Sequence, residues 1–183
     1  MGVWLASGSA RRAEILDSMV KPLHVEPLDG VDETPPSGSV EHQVLTICRR
    51  KALAVPDGHG FDVVVVADTM VGDPDDPNAA LGKPNDAFEA AVMMKHLSGR
   101  RHKVWSATGI WFCGDWTFFI ESAIVEFSEL TDDNIADLVE SESWKGKAGA
   151  YDLAGEMGNH ARLVDGDELA VLGFAPSALR LID

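Results

Sequence analysis

Positive charge is scarce in this sequence of 183 residues: 15 lysines and arginines stand against 30 aspartates and glutamates, for a formal net charge of −15. A surface with this balance repels phosphate backbones and anionic lipid headgroups. We therefore expect no nucleic-acid partner and no membrane partner. A small anionic ligand still fits, provided that the few cations are concentrated in one cleft.

Cysteine and long apolar runs are also scarce. The two cysteines, Cys48 and Cys113, are too few for a disulfide framework and lack the spacing of metal ligands. No apolar run approaches the ~20 residues of a membrane helix, and the first residues lack the basic start and long apolar core of a secretory leader. These absences indicate a cytoplasmic protein in a reducing compartment.

Several common catalytic signatures are missing. The six histidines show neither HxxxH nor HxH spacing, so we expect no zinc site. The GxSxG motif of serine hydrolases and the GxxxxGK[ST] phosphate loop do not occur. The commonest serine hydrolase and P-loop classes are therefore excluded.

Helical segments alternate with strand-like segments in the first half of the chain. Residues 3–6 form an apolar run that passes through a short Ser-Gly-Ser loop into a helical pattern. Ser39, Asn85 and Thr131 are the predicted N-caps of three further helices. With 45% hydrophobic residues, the whole chain, 1–183, is expected to form one α/β domain.

The strand pattern predicts a mixed, twisted sheet with flanking helices. Residues 61–67 are a β-branched run typical of a strand covered on both faces, and we expect it to end at Asp68. Residues 104–112 and 117–127 predict a hairpin. A last hairpin is expected to turn at residues 165–166, before a short terminal helix.

The stretch LASGSARRAEIL, residues 5–16, is the first candidate site. A strand that turns through small residues into a helix leaves unpaired amides at the positive end of the helix dipole, which suits an anion. Arg11 and Arg12 would reinforce such a site, because guanidinium groups bind phosphate oxygens in pairs. The alternative is that both arginines lie on the surface and pair with Glu14 and Asp17.

Acidic and basic residues elsewhere are further candidates with open alternatives. Asp68 follows a buried strand, where a carboxylate suits a base or a metal ligand, although Asp and Thr also commonly cap turns. Glu33, in an acidic loop, can supply a metal oxygen or be solvated. Lys83 is either aimed by its Gly-Pro neighbours or part of a turn, and Lys51 belongs to an RRK run that alone is typical of a solvated helix face.

Six motifs occur in order along nearly the whole chain: LASGSARRAEIL, GVDETP, RRKA, ADT, LGKP and KAGAYDLAG. Together they resemble the Maf family of nucleoside triphosphate pyrophosphatases, and the closing VLGFAPSAL extends the resemblance to residue 179. The resemblance implies an elongated two-lobed α/β fold with a central cleft, like that of the inosine triphosphate pyrophosphatases, and a homodimer, the state that is frequent in the family.

The resemblance also implies a reaction and a set of site residues. A nucleoside triphosphate would be hydrolysed to the monophosphate and pyrophosphate, with Mg²⁺ or Mn²⁺ as the divalent cation. Asp68 matches the catalytic base and metal-linked carboxylate of the family, and Glu33 matches its acidic loop residue, a second metal ligand. The positions that match substrate and phosphate contacts are Ser7, Arg11, Arg12, Lys51, Thr69 and Lys83.

Departures from the family pattern affect the nucleobase more than the phosphates. Arg11 and Thr69 match the branch that acts on dTTP and UTP, but the usual Gln of that branch is Ala154 here, in DLAG where the branch has GIQG. GVDETP is more similar to the 7-methyl-GTP branch, and a family Glu and Asp are replaced by Ser143 and Gly146. We expect cleavage to survive. The alternatives are a 7-methyl-GTP-type pyrophosphatase and a nucleotide-binding regulator without turnover.

Overall fold

The computed structural model describes residues 2–182 and has a sheet of seven strands. The sheet is mixed, as the sequence pattern predicts. The spatial order is β2-β1-β3-β5-β6-β7, with β4 paired to β3 alone. Strands β1, β2 and β3 are parallel neighbours, and the other pairs are antiparallel. The strands are β1 (Val3–Leu5), β2 (Leu23–Val25), β3 (Val63–Gly72), β4 (Ala80–Leu81), β5 (Arg101–Phe112), β6 (Asp115–Phe127) and β7 (Ala161–Asp165).

The helices begin close to the predicted caps. Ser39 and Thr131 each accept an amide proton as N-caps, which confirms two of the predictions. The third is one residue off: Asp86 caps the helix, while Asn85 donates to the carboxylate of Glu89. The helices are α1 (Ala10–Met19), α2 (Val40–Leu53), α3 (Ala87–Leu97), α4 (Asp132–Glu140), α5 (Glu168–Leu172) and α6 (Pro176–Leu179), with short 3-10 turns at Ala148–Ala150 and Glu156–Asn159. Within residues 2–182, no helix has both the length and the apolar character needed to cross a bilayer.

Strand β3 runs past its predicted end. Asp68 and Thr69 lie inside the strand, because β5 pairs with it continuously from Val63 to Val71. The backbone hydrogen bonds of the ladder keep the two polar residues extended, whereas the sequence pattern alone favours a turn at this point. The expectation that Asp68 follows the strand was therefore wrong.

The prediction of a hairpin that turns at residues 165–166 is also wrong. Strand β7 pairs with β6, and no strand follows it up to residue 182, where the described part of the chain ends. Asp167 instead accepts the amide proton of Leu169 and caps the short helix α5. An Asp-Gly pair predicts a tight turn, but the residues after it decide whether a strand or a helix follows.

The sheet is buried on both faces over much of its length. Successive valines of β3 point to opposite faces because side chains alternate along a strand. Val63 and Val65 pack with α1 and α6, and Val64 and Val66 pack with α2. A third apolar cluster, around α3 and α4, lies at the other end of the sheet. These layers hold β3 in place between the helices that carry the candidate residues.

Candidate active site

A gap in the sheet creates the main cavity. One edge of β3 pairs with β5 along the strand, while the other edge pairs with β1 at residues 63–65 and with β4 at residues 71–72. Among the described residues, 2–182, residues 66–70 therefore have no strand beside them on that second edge. The gap opens into a cavity of about 820 Å³. This volume is in the range of small-molecule sites.

Basic residues are concentrated around this cavity. Six of the 15 in the chain line it, against three carboxylates, so the cavity wall carries an excess of positive charge in a chain of net charge −15. Such a concentration attracts anions. All the residues selected from the sequence line the cavity, namely Ser7, Arg11, Arg12, Glu33, Lys51, Asp68, Thr69 and Lys83. Three charged residues that sequence reasoning missed also line it: Lys145, Lys147 and Asp152.

Asp68, Lys51 and Glu33 form the charged centre of the cavity. The alternation of β3 turns Asp68 toward α2, where Lys51 Nζ donates to its Oδ1 at 2.7 Å. The same ammonium lies 3.4 Å from Glu33 Oε1. The side chains of Lys51 and Asp68 are each only 11% exposed, so water screens their attraction weakly. Among residues 2–182, nothing donates a hydrogen bond to Oδ2 of Asp68.

Arg50 is not among the site residues predicted from the sequence, but it holds the acidic loop that carries Glu33. Its Nη1 donates to the carbonyl of Thr34 at 2.7 Å and to that of Asp32 at 3.2 Å. The loop has no helix or strand of its own, so these bonds are a main local restraint on it. The neighbouring Arg49 lies over the ring of Phe118, 5.5 Å from its centroid, and does not line the cavity. Of the RRK run, Arg49 therefore lies on the surface, Arg50 holds the loop of Glu33, and only Lys51 lines the cavity.

Arg12 is engaged mainly by the protein itself. Its Nε donates to the carbonyl of Gly173 at 2.8 Å, and its Nη1 donates to the carbonyl of Ala67 at 3.1 Å and to Ser7 Oγ at 3.3 Å. Nη2 donates to Thr69 Oγ1 at 2.9 Å. These bonds use four of the five guanidinium protons, so one is left for a ligand. Burial lowers the pKa of Arg12.

The hydroxyl of Thr69 has no proton left for a ligand. Ser106 donates its proton to the carbonyl of Ala170 at 2.8 Å, so in its contact with Thr69, at 2.7 Å, Ser106 is the acceptor. Thr69 therefore donates to Ser106 and accepts from Arg12. Thr69 can therefore influence a substrate by holding the guanidinium of Arg12 in position.

The start of α1 provides unpaired donors. Ser9 caps the helix through the amide of Arg12, and Ser7 Oγ accepts the amide proton of Ser9 at 3.2 Å. The amides of Ala10 and Arg11 come too early in the helix to have a partner four residues back. Within residues 2–182, the hydroxyl proton of Ser7 has no acceptor. These groups, at the positive end of the helix dipole, suit an anion.

The opposite wall comes from the loop between α4 and β7. Asp152 Oδ2 lies 2.7 Å from Arg11 Nη2 and 3.5 Å from Lys147 Nζ. The adjacent Tyr151 lines the cavity and contacts His102 Nε2 through its hydroxyl at 2.8 Å. Burial lowers the pKa of His102 to about 4, so this histidine is neutral at pH 7 and the pair is a buried neutral contact. Lys145 and Lys147 flank a glycine in a chain that is poor in basic residues. This pattern is the feature of the sequence that could have predicted this wall.

Positions where the sequence departs from the family pattern have different surroundings. Ala154 is exposed and does not line the cavity. Ser143 contacts the hydroxyl of Ser141 at 3.0 Å and is likewise outside the lining. Gly146 lines the cavity with φ +71°, a conformation that glycine adopts easily.

A second polar cluster lies outside the cavity. One ligand atom from each of Asp73, Asp75 and His96 lies within 4.8 Å of the others. Arg100 already forms an ion pair with Asp75, and His96 contacts Asp73 at 3.1 Å, so the carboxylates of the cluster already have partners within the protein. Sequence spacing missed it because His96 lies 23 residues from Asp73. None of the three lines the main cavity.

The fold and the cavity together define an α/β protein in which a gap in the sheet forms a cation-lined cleft around a buried carboxylate. The chain belongs to the family described as Maf-like protein, whose family model matches residues 2–182. It is 36% identical over 173 residues to a dTTP/UTP pyrophosphatase of Pyrococcus abyssi, which covers 93% of this chain and 88% of the relative. It is 37% identical over 173 residues to a dTTP/UTP pyrophosphatase of Roseobacter denitrificans, and this match covers 93% of this chain and 89% of the relative.

A solved structure of the Staphylococcus aureus Ham1 protein is also similar. The TM-score is 0.46 and the sequence identity 11%, and the match covers 69% of this chain and 72% of the other. The Ham1 protein of Coxiella burnetii matches with a TM-score of 0.44 and 12% identity, over 71% of this chain and 74% of the other.

Proposed function

We propose that this protein is a nucleoside triphosphate pyrophosphatase that hydrolyses a substrate such as dTTP or UTP to the monophosphate and pyrophosphate. The observation that carries the proposal is the excess of basic residues around Asp68 in one cavity of an otherwise strongly acidic chain. The names of the two dTTP/UTP pyrophosphatase relatives support the same substrate class. The motifs that resemble the Maf family line this cavity.

The triphosphate would be held by groups that are free to donate. These are the first amides of α1, the hydroxyl of Ser7, the remaining proton of Arg12 and the ammonium of Lys83. Lys83 is exposed and, within residues 2–182, has no ion-pair partner. Lys51 would contact phosphate while still next to Asp68. Helix amides and cations of this kind stabilise both bound phosphate and the charge that develops in the transition state.

The chemistry needs a water molecule positioned at the α-phosphorus. The water oxygen forms a bond to phosphorus as the bond to the bridging oxygen of pyrophosphate breaks. Asp68 accepts a proton from that water through Oδ2, the oxygen that receives no hydrogen bond from the described residues. Most of the rate enhancement would come from positioning and electrostatic stabilisation.

The residues around Asp68 also suit a divalent cation. Asp68 and Glu33 both approach the ammonium of Lys51, at 2.7 and 3.4 Å, so their oxygens converge on one point that already accommodates a positive charge. Carboxylate oxygens are preferred ligands of Mg²⁺ and Mn²⁺. When bound, the cation would lower the repulsion between these carboxylates and the triphosphate and lower the pKa of its bound water.

Product analysis tests this function. The purified chain is incubated with dTTP, UTP, CTP, GTP, ATP and 7-methyl-GTP, in Mg²⁺, in Mn²⁺ or in EDTA. We expect equal amounts of monophosphate and pyrophosphate from at least one substrate and no turnover in EDTA. Release of orthophosphate instead of pyrophosphate would contradict the proposed reaction. Nucleotide binding without any turnover would favour a regulator.

Replacing Arg50 by alanine is expected to weaken the use of the divalent cation. The loop of Glu33 loses the two bonds that hold it, so the carboxylate is less often in place. We expect the metal concentration for half-maximal rate to rise about three- to tenfold, the effect of roughly 1 kcal/mol, with kcat at saturating metal nearly unchanged.

Arg49→Ala is the matched control for that prediction, because Arg49 is adjacent in sequence and lies over Phe118 outside the cavity. It should leave the metal dependence as in the unmodified protein. An equal shift in both variants would show that surface charge, and not the loop of Glu33, sets the metal dependence.

The homodimer, the cytoplasmic location and the single domain over residues 1–183 stay predictions. Light scattering checks the first, cell fractionation the second, and limited proteolysis the third.

A further inference from the structure

Asp152 forms an ion-pair group with two cations in the cavity wall. Its Oδ2 lies 2.7 Å from Arg11 Nη2 and 3.5 Å from Lys147 Nζ. The side chain of Asp152 is 13% exposed and that of Arg11 is 27% exposed, so water screens the pair only in part. The carboxylate lowers the local excess of positive charge around the side chains of Arg11 and Lys147.

The pair makes Arg11 a poor phosphate ligand. A phosphate oxygen that approached the guanidinium would also approach the Asp152 carboxylate, and like charges repel strongly where screening is weak. An uncharged polar group meets no such repulsion. We therefore expect Arg11 to contact the nucleoside part of a substrate, while the triphosphate lies toward Ser7, Lys51 and Lys83.

Both partners have unused hydrogen-bonding capacity. Arg11 uses one Nη2 proton in the pair, and its other protons have no acceptor among residues 2–182. Asp152 accepts from Arg11 through Oδ2, which also lies 3.5 Å from Lys147 Nζ, and from the amide of Ala154 through Oδ1 at 3.0 Å, so Oδ1 keeps a lone pair. A donor and an acceptor therefore stand side by side at the cavity wall.

We propose that Asp152 is a specificity-determining residue that, with Arg11, selects nucleobases carrying a ring N–H next to a carbonyl. Uracil, thymine and guanine have this edge: the carbonyl accepts from Arg11, and the ring N–H donates to Asp152. In the same placement of the base, cytosine and adenine present an unprotonated ring nitrogen to the lone pairs of the carboxylate, and they can use their amino group there only if the base shifts along the wall. The inference rests on the proposed pyrophosphatase function and adds to it the class of base.

The substitution Asp152→Asn tests the proposal. Asparagine keeps an oxygen for the amide of Ala154, so the loop should fold, but its side chain can donate as well as accept. We expect kcat/KM for UTP relative to CTP, and for GTP relative to ATP, to fall at least about tenfold in the variant. We also expect tighter binding of inorganic tripolyphosphate, because Arg11 and Lys147 lose their counter-charge.

Asp132→Asn is the control, since it removes the same charge from an exposed ion pair with Lys95 outside the cavity. It should leave both the base ratios and tripolyphosphate binding unchanged. Equal losses of kcat/KM for all four nucleotides in Asp152→Asn, with unchanged ratios, would overturn the proposal and indicate a purely structural residue.

Two measurements keep this test separate from the test of function. If the unmodified protein releases no pyrophosphate, the proposed function fails. The base preference can then still be measured as thermal stabilisation by UTP against CTP. Equal stabilisation of the unmodified protein by the two nucleotides would overturn the role of Asp152 independently.

Discussion

Replacing Asp68 by asparagine is expected to lower kcat for pyrophosphate release by about 10³-fold, the usual contribution of a positioned general base. Asparagine has nearly the same shape but cannot take up the proton of the attacking water. Nucleotide binding should be retained or become tighter, because a negative charge next to the triphosphate is removed. The loss is therefore expected in kcat and not in the dissociation constant.

Single-turnover rates and equilibrium nucleotide binding separate these two effects. Lys51 loses its closest partner in this variant, so the midpoint of thermal unfolding is measured alongside to show that the protein is folded. Asp132→Asn again serves as the control for the loss of one charge. A kcat within threefold of that of the unmodified protein would exclude Asp68 as the base.

Replacing Arg12 by alanine is expected to cost about 3 kcal/mol or more of unfolding free energy, and pyrophosphatase activity with it. The guanidinium joins α1 to β3 and to the residue after α5, through Ala67, Thr69 and Gly173. Its removal leaves the carbonyl of Gly173 without its donor and the carbonyl of Ala67 with only the longer contact from Lys51 Nζ, at 3.4 Å. Urea unfolding in the absence of nucleotide measures the loss.

Two further variants decide whether the shape or the charge of Arg12 matters. Arg12→Lys keeps the charge but not the planar fork, so we expect most of the destabilisation to remain. Arg11→Ala breaks only the pair with Asp152 and should cost about 1 kcal/mol or less, since that pair is partly exposed. A loss below about 1 kcal/mol in Arg12→Ala would show that water replaces the guanidinium easily.

The candidate site was predicted in large part from short motifs. Ser7, Arg12, Lys51 and Asp68 were selected from the sequence and line the same cavity. Their detailed environment was not predictable, because it depends on what each side chain contacts after folding. The sequence predicts Arg12 as a phosphate ligand, whereas in the structure four of its five guanidinium protons bind the protein.

Arg50 and Asp152 show why some residues escaped prediction. Arg50 holds its loop through backbone carbonyls, which leave no trace in side-chain composition. Asp152 lies 141 residues from its partner Arg11, so no local spacing reports their contact. The error at the end of β3 has a similar origin, because the pairing of β5 with Asp68 and Thr69 extends the strand.

The sequence by itself determined the α/β class, the helix starts at Ser39 and Thr131 and the family resemblance, because hydrophobic period and capping act over a few neighbouring residues. Only the tertiary structure decided that β1 and β4 pair with separate parts of one edge of β3. The gap between them gathers basic residues from distant segments into one cavity. Which strands become neighbours depends on the packing of the whole sheet, and local sequence pattern does not encode it.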